Sequence, residues 1–223
     1  MGCIASIFLA FGKYDDLGVT GYHGKGGMEI IQLRGEYIQA DQTILKLKEK
    51  YSVTGEDYII KGLNGRLWFK IKGDSLSTKD KSRDLIGYEG SAVAGYQCLT
   101  TQGIAYITKE VNRKTLVHAT IKKSEKISRS RGIDIFIHDP LPDIEDVSTD
   151  GLHPRILMKG DFSGKNYGFL IGNDSFGYSK IAEVLPTWET SSEKDSYFVN
   201  IGSNVDILFI SMCAKVVDEM FCD

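Results

Sequence analysis

The sequence predicts a mainly β domain in which an antiparallel sheet wraps around one apolar helix near the C-terminus. Three observations carry this expectation. Short segments with apolar residues at every second position recur from about Glu36 to Ile201. Turn-forming residues separate them, within a composition of 24 glycines, 11 tyrosines, 10 phenylalanines and only 4 prolines, which favours many short strands joined tightly. The last apolar run, Val205 to Met220, is apolar on every side through its first three turns. A helix of that kind is either a membrane span or the centre of a core. A span needs roughly 20 apolar residues, and Asp206, Lys215, Asp218 and Glu219 leave too few. The helix is therefore expected inside the protein, with Ser203 or Asn204 as its cap.

Along the chain, Leu45 and Leu47 alternate with Lys46, Lys48 and Lys50, giving a half-buried strand with a basic outer face. The clearest local structure is the hairpin from Asp57 to Ile71. Asn64-Gly65 is the preferred pair for a two-residue type I′ turn, because both positions then need φ > 0. That turn sets Ile60 opposite Phe69 and Tyr58 opposite Ile71 on one face, and Lys61 opposite Trp68 on the other as a cation–π pair. Further turns are expected at Glu89-Gly90 and Gly172-Asn173. Ile133, Ile135 and Ile137 share a face, as do Ile156 and Met158, and then Tyr197, Val199 and Ile201. Such spacing favours a meandering antiparallel sheet or barrel.

The first residues, Met1-Gly2-Cys3-Ile4-Ala5-Ser6, match the N-myristoylation pattern, with Gly2 as acceptor once Met1 is removed and Ser6 at the required spacing. One myristoyl chain binds a bilayer with a constant of only about 10⁴ M⁻¹, so stable anchoring needs a second signal. Cys3 supplies a thiol for palmitoylation. A secretory signal is not expected, since no basic residue precedes the short apolar run and Lys13 follows it. Cys3, Cys98, Cys213 and Cys222 show no framework spacing, which suits a reducing compartment. The expected organisation is a lipidation segment over 1–11, a glycine-rich tether over 12–35 in which Glu29 to Leu33 has a strand-like pattern, and a folded domain over 36–223.

The hairpin motif from Tyr58 to Ile71, the tail from Asp195 to Asp206 with its Val205-Asp206 pair, and Lys159-Gly160-Asp161 within a strand together resemble the LURP-one-related proteins. The resemblance covers roughly Asp41 to Phe221. It implies a barrel of about twelve strands around a central helix, shared with tubby C-terminal domains and phospholipid scramblases. It implies no catalytic residues. Tubby domains bind phosphoinositides, and scramblases are proposed to move lipids between leaflets. Lys215 interrupts a helix that the family usually keeps apolar there.

Chemistry-bearing patterns are few. His23, His118, His138 and His153 have no metal-ligand spacing, and His138-Asp139 reads as a turn at a strand end. Asp134 to Asp150 holds six carboxylates and no Lys or Arg, but lacks the glycine and terminal Glu of an EF-hand loop. No metal or cofactor is expected. With a formal charge of −3, no global field points to nucleic acid. Charge does segregate locally. Eight basic residues lie between Lys109 and Arg131 against Glu110 and Glu125, a net +6 beside the net −6 of Asp134 to Asp150. Basic residues near an anionic leaflet contribute about 1 kcal/mol each. Lys122, Lys123, Lys126, Arg129 and Arg131 are therefore the candidate anionic-lipid site, effective only if that edge lies on the tether's side of the barrel. The expected function is a non-enzymatic, acylated module on the cytoplasmic face of a membrane, the plasma membrane by preference, binding phosphoinositide or phosphatidylserine. The competing classes are a scramblase-like lipid transporter and a soluble protein-interaction scaffold whose partner the sequence does not name.

Overall fold

The computed structural model describes residues 18–20, 32–52, 55–73, 80–124, 132–173, 177–187 and 196–221. Twelve strands form one antiparallel meander. They are β1 (Thr43–Ser52), β2 (Gly55–Gly62), β3 (Leu67–Gly73), β4 (Asp80–Gly87), β5 (Ala92–Leu99), β6 (Ile104–Val111), β7 (Lys114–Lys123), β8 (Gly132–Ile137), β9 (Ile156–Asp161), β10 (Asn166–Asn173), β11 (Gly177–Pro186) and β12 (Ser196–Ile201). Each strand pairs with its sequence neighbours, and β1 closes the barrel against β12 with Thr43 opposite Ile201 and Lys48 opposite Ser196. Closure removes every sheet edge. Inside lies the helix α1 (Ile207–Phe221). The sheet-around-helix expectation holds, with the helix beginning two residues later than the pattern suggested.

Period-two patterning explains which faces turn inward. Leu45, Leu47, Ile60, Phe69, Ile71, Ile133, Ile135, Ile156, Met158, Tyr197, Val199 and Ile201 are all fully buried. They pack around Ile207, Leu208, Phe209, Ile210 and Val217 of α1, which are fully buried too. The Phe209 ring meets His118 edge-on at 5.7 Å. Ser211, also buried, bonds its hydroxyl to the Ile207 carbonyl at 2.6 Å and so leaves no orphan donor.

Four local expectations are corrected. The β2–β3 connection is not a type I′ turn. Only Gly65 has positive φ (79°), and the Gly65 N–H donates to the Gly62 carbonyl at 2.9 Å while the Gly62 N–H donates to Arg66 O at 2.9 Å. This is a type I turn over Leu63 and Asn64 followed by a glycine bulge, which tolerates Asn64 at ordinary φ. The inward pairs Tyr58–Ile71 and Ile60–Phe69 survive, but the bulge places Lys61 opposite Leu67. Arg66, not Lys61, lies over the Trp68 ring, at 4.5 Å. Second, Gly172 and Asn173 belong to β10 rather than to a turn. Third, neither Ser203 nor Asn204 caps α1; Asp206 does. Fourth, the described parts of the supposed tether are docked. Leu33 is buried, and the Thr20 N–H bonds to the Lys180 carbonyl at 2.9 Å. Gly2 and Cys3 lie outside the described residues.

Replacing Phe209 with Ala is expected to cost roughly 3–5 kcal/mol through lost transfer energy and the cavity left behind. Equilibrium denaturation of the variant beside the parent chain measures this.

Candidate functional site

At its N-terminus a sealed helix presents backbone N–H groups that water cannot reach. The Asp206 carboxylate satisfies them. Its Oδ1 accepts hydrogen bonds from Leu208 N–H at 2.9 Å and Phe209 N–H at 3.1 Å. Its Oδ2 accepts from Leu33 N–H at 2.8 Å and Arg34 N–H at 3.0 Å. One side chain thus caps α1 and pins the chain that leads into the barrel. Burial raises the Asp206 pKa, and the four backbone donors pull against that rise. Asn204 serves differently, in a left-handed conformation (φ 57°) with its N–H bonded to the Gln39 carbonyl at 2.7 Å.

The pinned segment walls a cavity of about 440 Å³ at this entry end of the barrel. Arg34, Glu36 and Tyr37 form one side, Arg66 and Trp68 of the β2–β3 hairpin another, and Tyr88 and Glu89 of the β4–β5 turn a third. Arg34 Nε donates to the Val93 carbonyl at 2.8 Å, and its other end lies 3.5 Å from Glu36. Tyr37 packs edge-on against Phe69 at 4.9 Å, and burial, then Glu36, raises the pKa of its hydroxyl. The cavity is amphipathic, with aromatic walls and two guanidinium groups balanced by two carboxylates. Composition gave no hint of it, because its lining comes from three separate stretches of chain.

At the far end, where α1 finishes, the buried charges gather. Glu219 Oε1 meets Arg83 Nε at 2.8 Å, accepts from the Tyr96 hydroxyl at 2.9 Å and lies 3.3 Å from Lys215 Nζ. Asp218 meets Lys165 at 3.0 Å and Lys215 at 3.3 Å, and accepts from the Tyr58 hydroxyl at 3.3 Å. Lys215 Nζ also sits 3.6 Å over the Tyr58 ring. The departure at Lys215 is thereby explained. It is 1% exposed and supplies the cation shared by both carboxylates. Burial would raise the Asp218 pKa, but Lys215 and Lys165 outweigh it and hold the carboxyl below its ordinary value. The hydroxyls of Tyr96 and Tyr197 are pushed well up, chiefly by burial.

Of the expected anionic-lipid residues, Lys126, Arg129 and Arg131 lie outside the described residues. Lys122 and Lys123 end β7. Lys122 lies over the Phe136 ring at 5.3 Å and opposite Asp134, while Lys123 lies over the Phe221 ring at 4.5 Å. Lys122 thus faces a carboxylate across the sheet, and Lys114, at the start of β7, pairs with Asp143. The Phe221 contact puts Lys123 at the far end, whereas Leu33, Arg34 and Thr20 sit at the entry end. The 15 residues of α1 separate these ends by about 22 Å. His138 is buried with Nε2 2.8 Å from Thr120 Oγ1, and burial lowers its pKa. Its neighbour Asp139 lies in the bend that follows β8.

Among the described residues no cluster of His, Cys, Asp or Glu has the grouping to hold a metal ion. No described helix is long and apolar enough to cross a membrane. Cys98 and Cys213 are buried, and burial pushes the Cys213 thiol well up. Fold and interior together define a closed twelve-stranded barrel threaded by a C-terminal helix. The sequence comparison gives the family: a model of the LURP-one-related proteins matches residues 43–218, and the chain belongs to that family. No curated protein matches the sequence significantly.

Lys215→Met is expected to destabilise the fold by roughly 3–5 kcal/mol, because Asp218 and Glu219 lose their shared buried cation. A carboxyl whose folded pKa is depressed contributes stability above its unfolded pKa and loses it as pH falls through the folded value. Without Lys215 that depression of the Asp218 pKa is lost, so the variant should lose less stability on acidification than the parent, and the gap between the two should narrow as pH falls. Denaturant titrations of both proteins from pH ~7 to ~3 read this gap.

Proposed function

We propose that this chain is an N-terminally acylated, non-enzymatic module that associates with the cytoplasmic face of a membrane and binds anionic phospholipid there, bringing any protein partner with it. The observation that carries the reading is the adjacent pair Gly2-Cys3 with Ser6, two acceptors for the two acyl chains that stable anchoring requires. The fold supports it in two ways. The barrel axis is filled by α1, so a phospholipid meets this chain on its outer surface. The chain between Gly2 and Gly18 can reach at most roughly 55 Å, enough to hold the barrel against the surface to which Gly2 is anchored. Anionic headgroups have two candidate places, the Lys122–Lys123 edge at the far end and the Arg34–Arg66 cavity at the entry end. One flat membrane cannot touch both across the length of α1, since surface attraction fades within about 8 Å at physiological salt.

In a eukaryotic host, the purified protein should lack Met1, carry a myristoyl group on Gly2 and carry a hydroxylamine-labile chain on Cys3. Gly2→Ala should move it from the membrane to the supernatant fraction, and Cys3→Ser should leave weak, reversible attachment. A protein that keeps Met1, or a Gly2→Ala variant that fractionates like the parent, overturns the reading.

A further inference from the structure

Two neighbouring loops at the entry end share one five-residue construction. In Gly62-Leu63-Asn64-Gly65-Arg66, the Gly62 N–H donates to Arg66 O at 2.9 Å and the Gly65 N–H to Gly62 O at 2.9 Å. In Gly87-Tyr88-Glu89-Gly90-Ser91, the Gly87 N–H donates to Ser91 O at 2.9 Å and the Gly90 N–H to Gly87 O at 3.0 Å. Gly65 and Gly90 close the two turns at φ 79° and 87°. The loops are neighbours because β3 pairs with β4, Phe69 opposite Gly87. The second position of each loop stands at the turn's tip, where Pro and polar residues are the usual choice. Here it is filled by Leu63 and Tyr88. At 66% and 58% exposed, they are the most exposed large apolar side chains among the described residues.

Leu63 gains nothing for the fold at a turn tip, and Tyr88, whose hydroxyl donates to Glu89 at 2.8 Å, leaves its ring in water beside it, so two neighbouring tips present apolar surface outward. Their surroundings indicate what they meet. Trp68 is half-buried behind the tips with the Arg66 guanidinium stacked on it, an aromatic–cation pair suited to the boundary between hydrocarbon and water. Arg34 and Arg66 reach the cavity between the loops, where Glu36 and Glu89 balance their charge. The described chain that precedes β1 also runs at this end, Leu33 and Arg34 at Asp206 and Thr20 beside Gly202.

We propose that the entry end is the face this protein turns to a phospholipid bilayer. Leu63 and Tyr88 insert among the headgroups, and Arg66 and Arg34 take lipid phosphates in the cavity between the two loops. This assignment rests on the membrane-associated reading above and selects the entry end over the Lys122–Lys123 edge. Because the lining carries equal numbers of guanidinium and carboxylate groups, insertion dominates over charge. Phosphatidylcholine alone therefore supports binding, and phosphatidylserine adds only modestly to it.

The test uses the full chain as Gly2→Ala, free of acyl chains, with vesicles of phosphatidylcholine alone and of phosphatidylcholine with phosphatidylserine. The parent should sediment with both. Leu63→Ser/Tyr88→Ser should bind each at least about tenfold more weakly, with unchanged thermal unfolding because both sites are exposed. In a Trp188→Phe background, Trp68 emission should shift to the blue on binding and be quenched by acyl-brominated lipid. Binding unchanged in the double variant overturns the proposal. So does loss of binding in Lys122→Ala/Lys123→Ala with Trp68 unquenched, which would place the bilayer at the far end. A parent that sediments with neither vesicle overturns it too, while acylation at Gly2 is judged separately by mass analysis and fractionation.

Discussion

Enclosing α1 in a closed sheet obliges the protein to satisfy its buried N-terminal donors and its buried charges within the barrel, and most of what is distinctive in this chain follows from that obligation. At the N-terminus a single carboxylate meets two helical donors and two from the entering chain. At the C-terminus the problem is harder. Asp218 and Glu219 occupy the last turn, where the helix dipole is negative and carboxylates are disfavoured. Arg83 from β4, Lys165 from the β9–β10 turn and Lys215 from the helix itself offset this. Tyr58 and Tyr96 add hydrogen bonds from β2 and β5.

Apolar burial has no direction, so side chains such as Ile207 and Val217 do not by themselves fix how far α1 slides or turns within the sheet. The bonds at its two ends do, those at the N-terminus reaching the chain that precedes β1 and those at the C-terminus reaching β2, β4, β5 and the β9–β10 turn. They also absorb the buried ionisable groups. The charged residues of the far-end interior are engaged in holding the helix. The entry-end rim combines aromatic walls, guanidinium groups and exposed loop tips.

The fold was legible because its two signals are strong and local. Alternation at Leu45–Leu47, Ile133–Ile137 and Tyr197–Ile201 reports which face turns inward, and an all-apolar run too short to span a bilayer reports a buried helix. The resemblance supplied the strand number, and the family match agrees with it. Errors arose where geometry is decided by neighbours distant in sequence. Asn64-Gly65 fits two hairpin loops of different length, and only the Gly62–Arg66 bond selects the longer one. Asp206 was visible as part of a motif, but its reach to Leu33, far away in the chain, was not. The entry-end cavity was invisible for the same reason. The lysine-rich run was visible, but the strand pairing that sets Lys122 opposite Asp134 was not.

Closure of β1 on β12 also bears on how the chain emerges during synthesis. Thr43 finds its partner only when Ile201 has been made, and α1 follows every strand in sequence. Until then the nascent sheet carries two open edges and an apolar inner face with nothing to cover it. Such surfaces invite strand addition and collapse on the wrong partner. Because closure of β1 on β12 and the filling of the barrel axis both wait on the final segment, the barrel can be completed only after its last helix has been made.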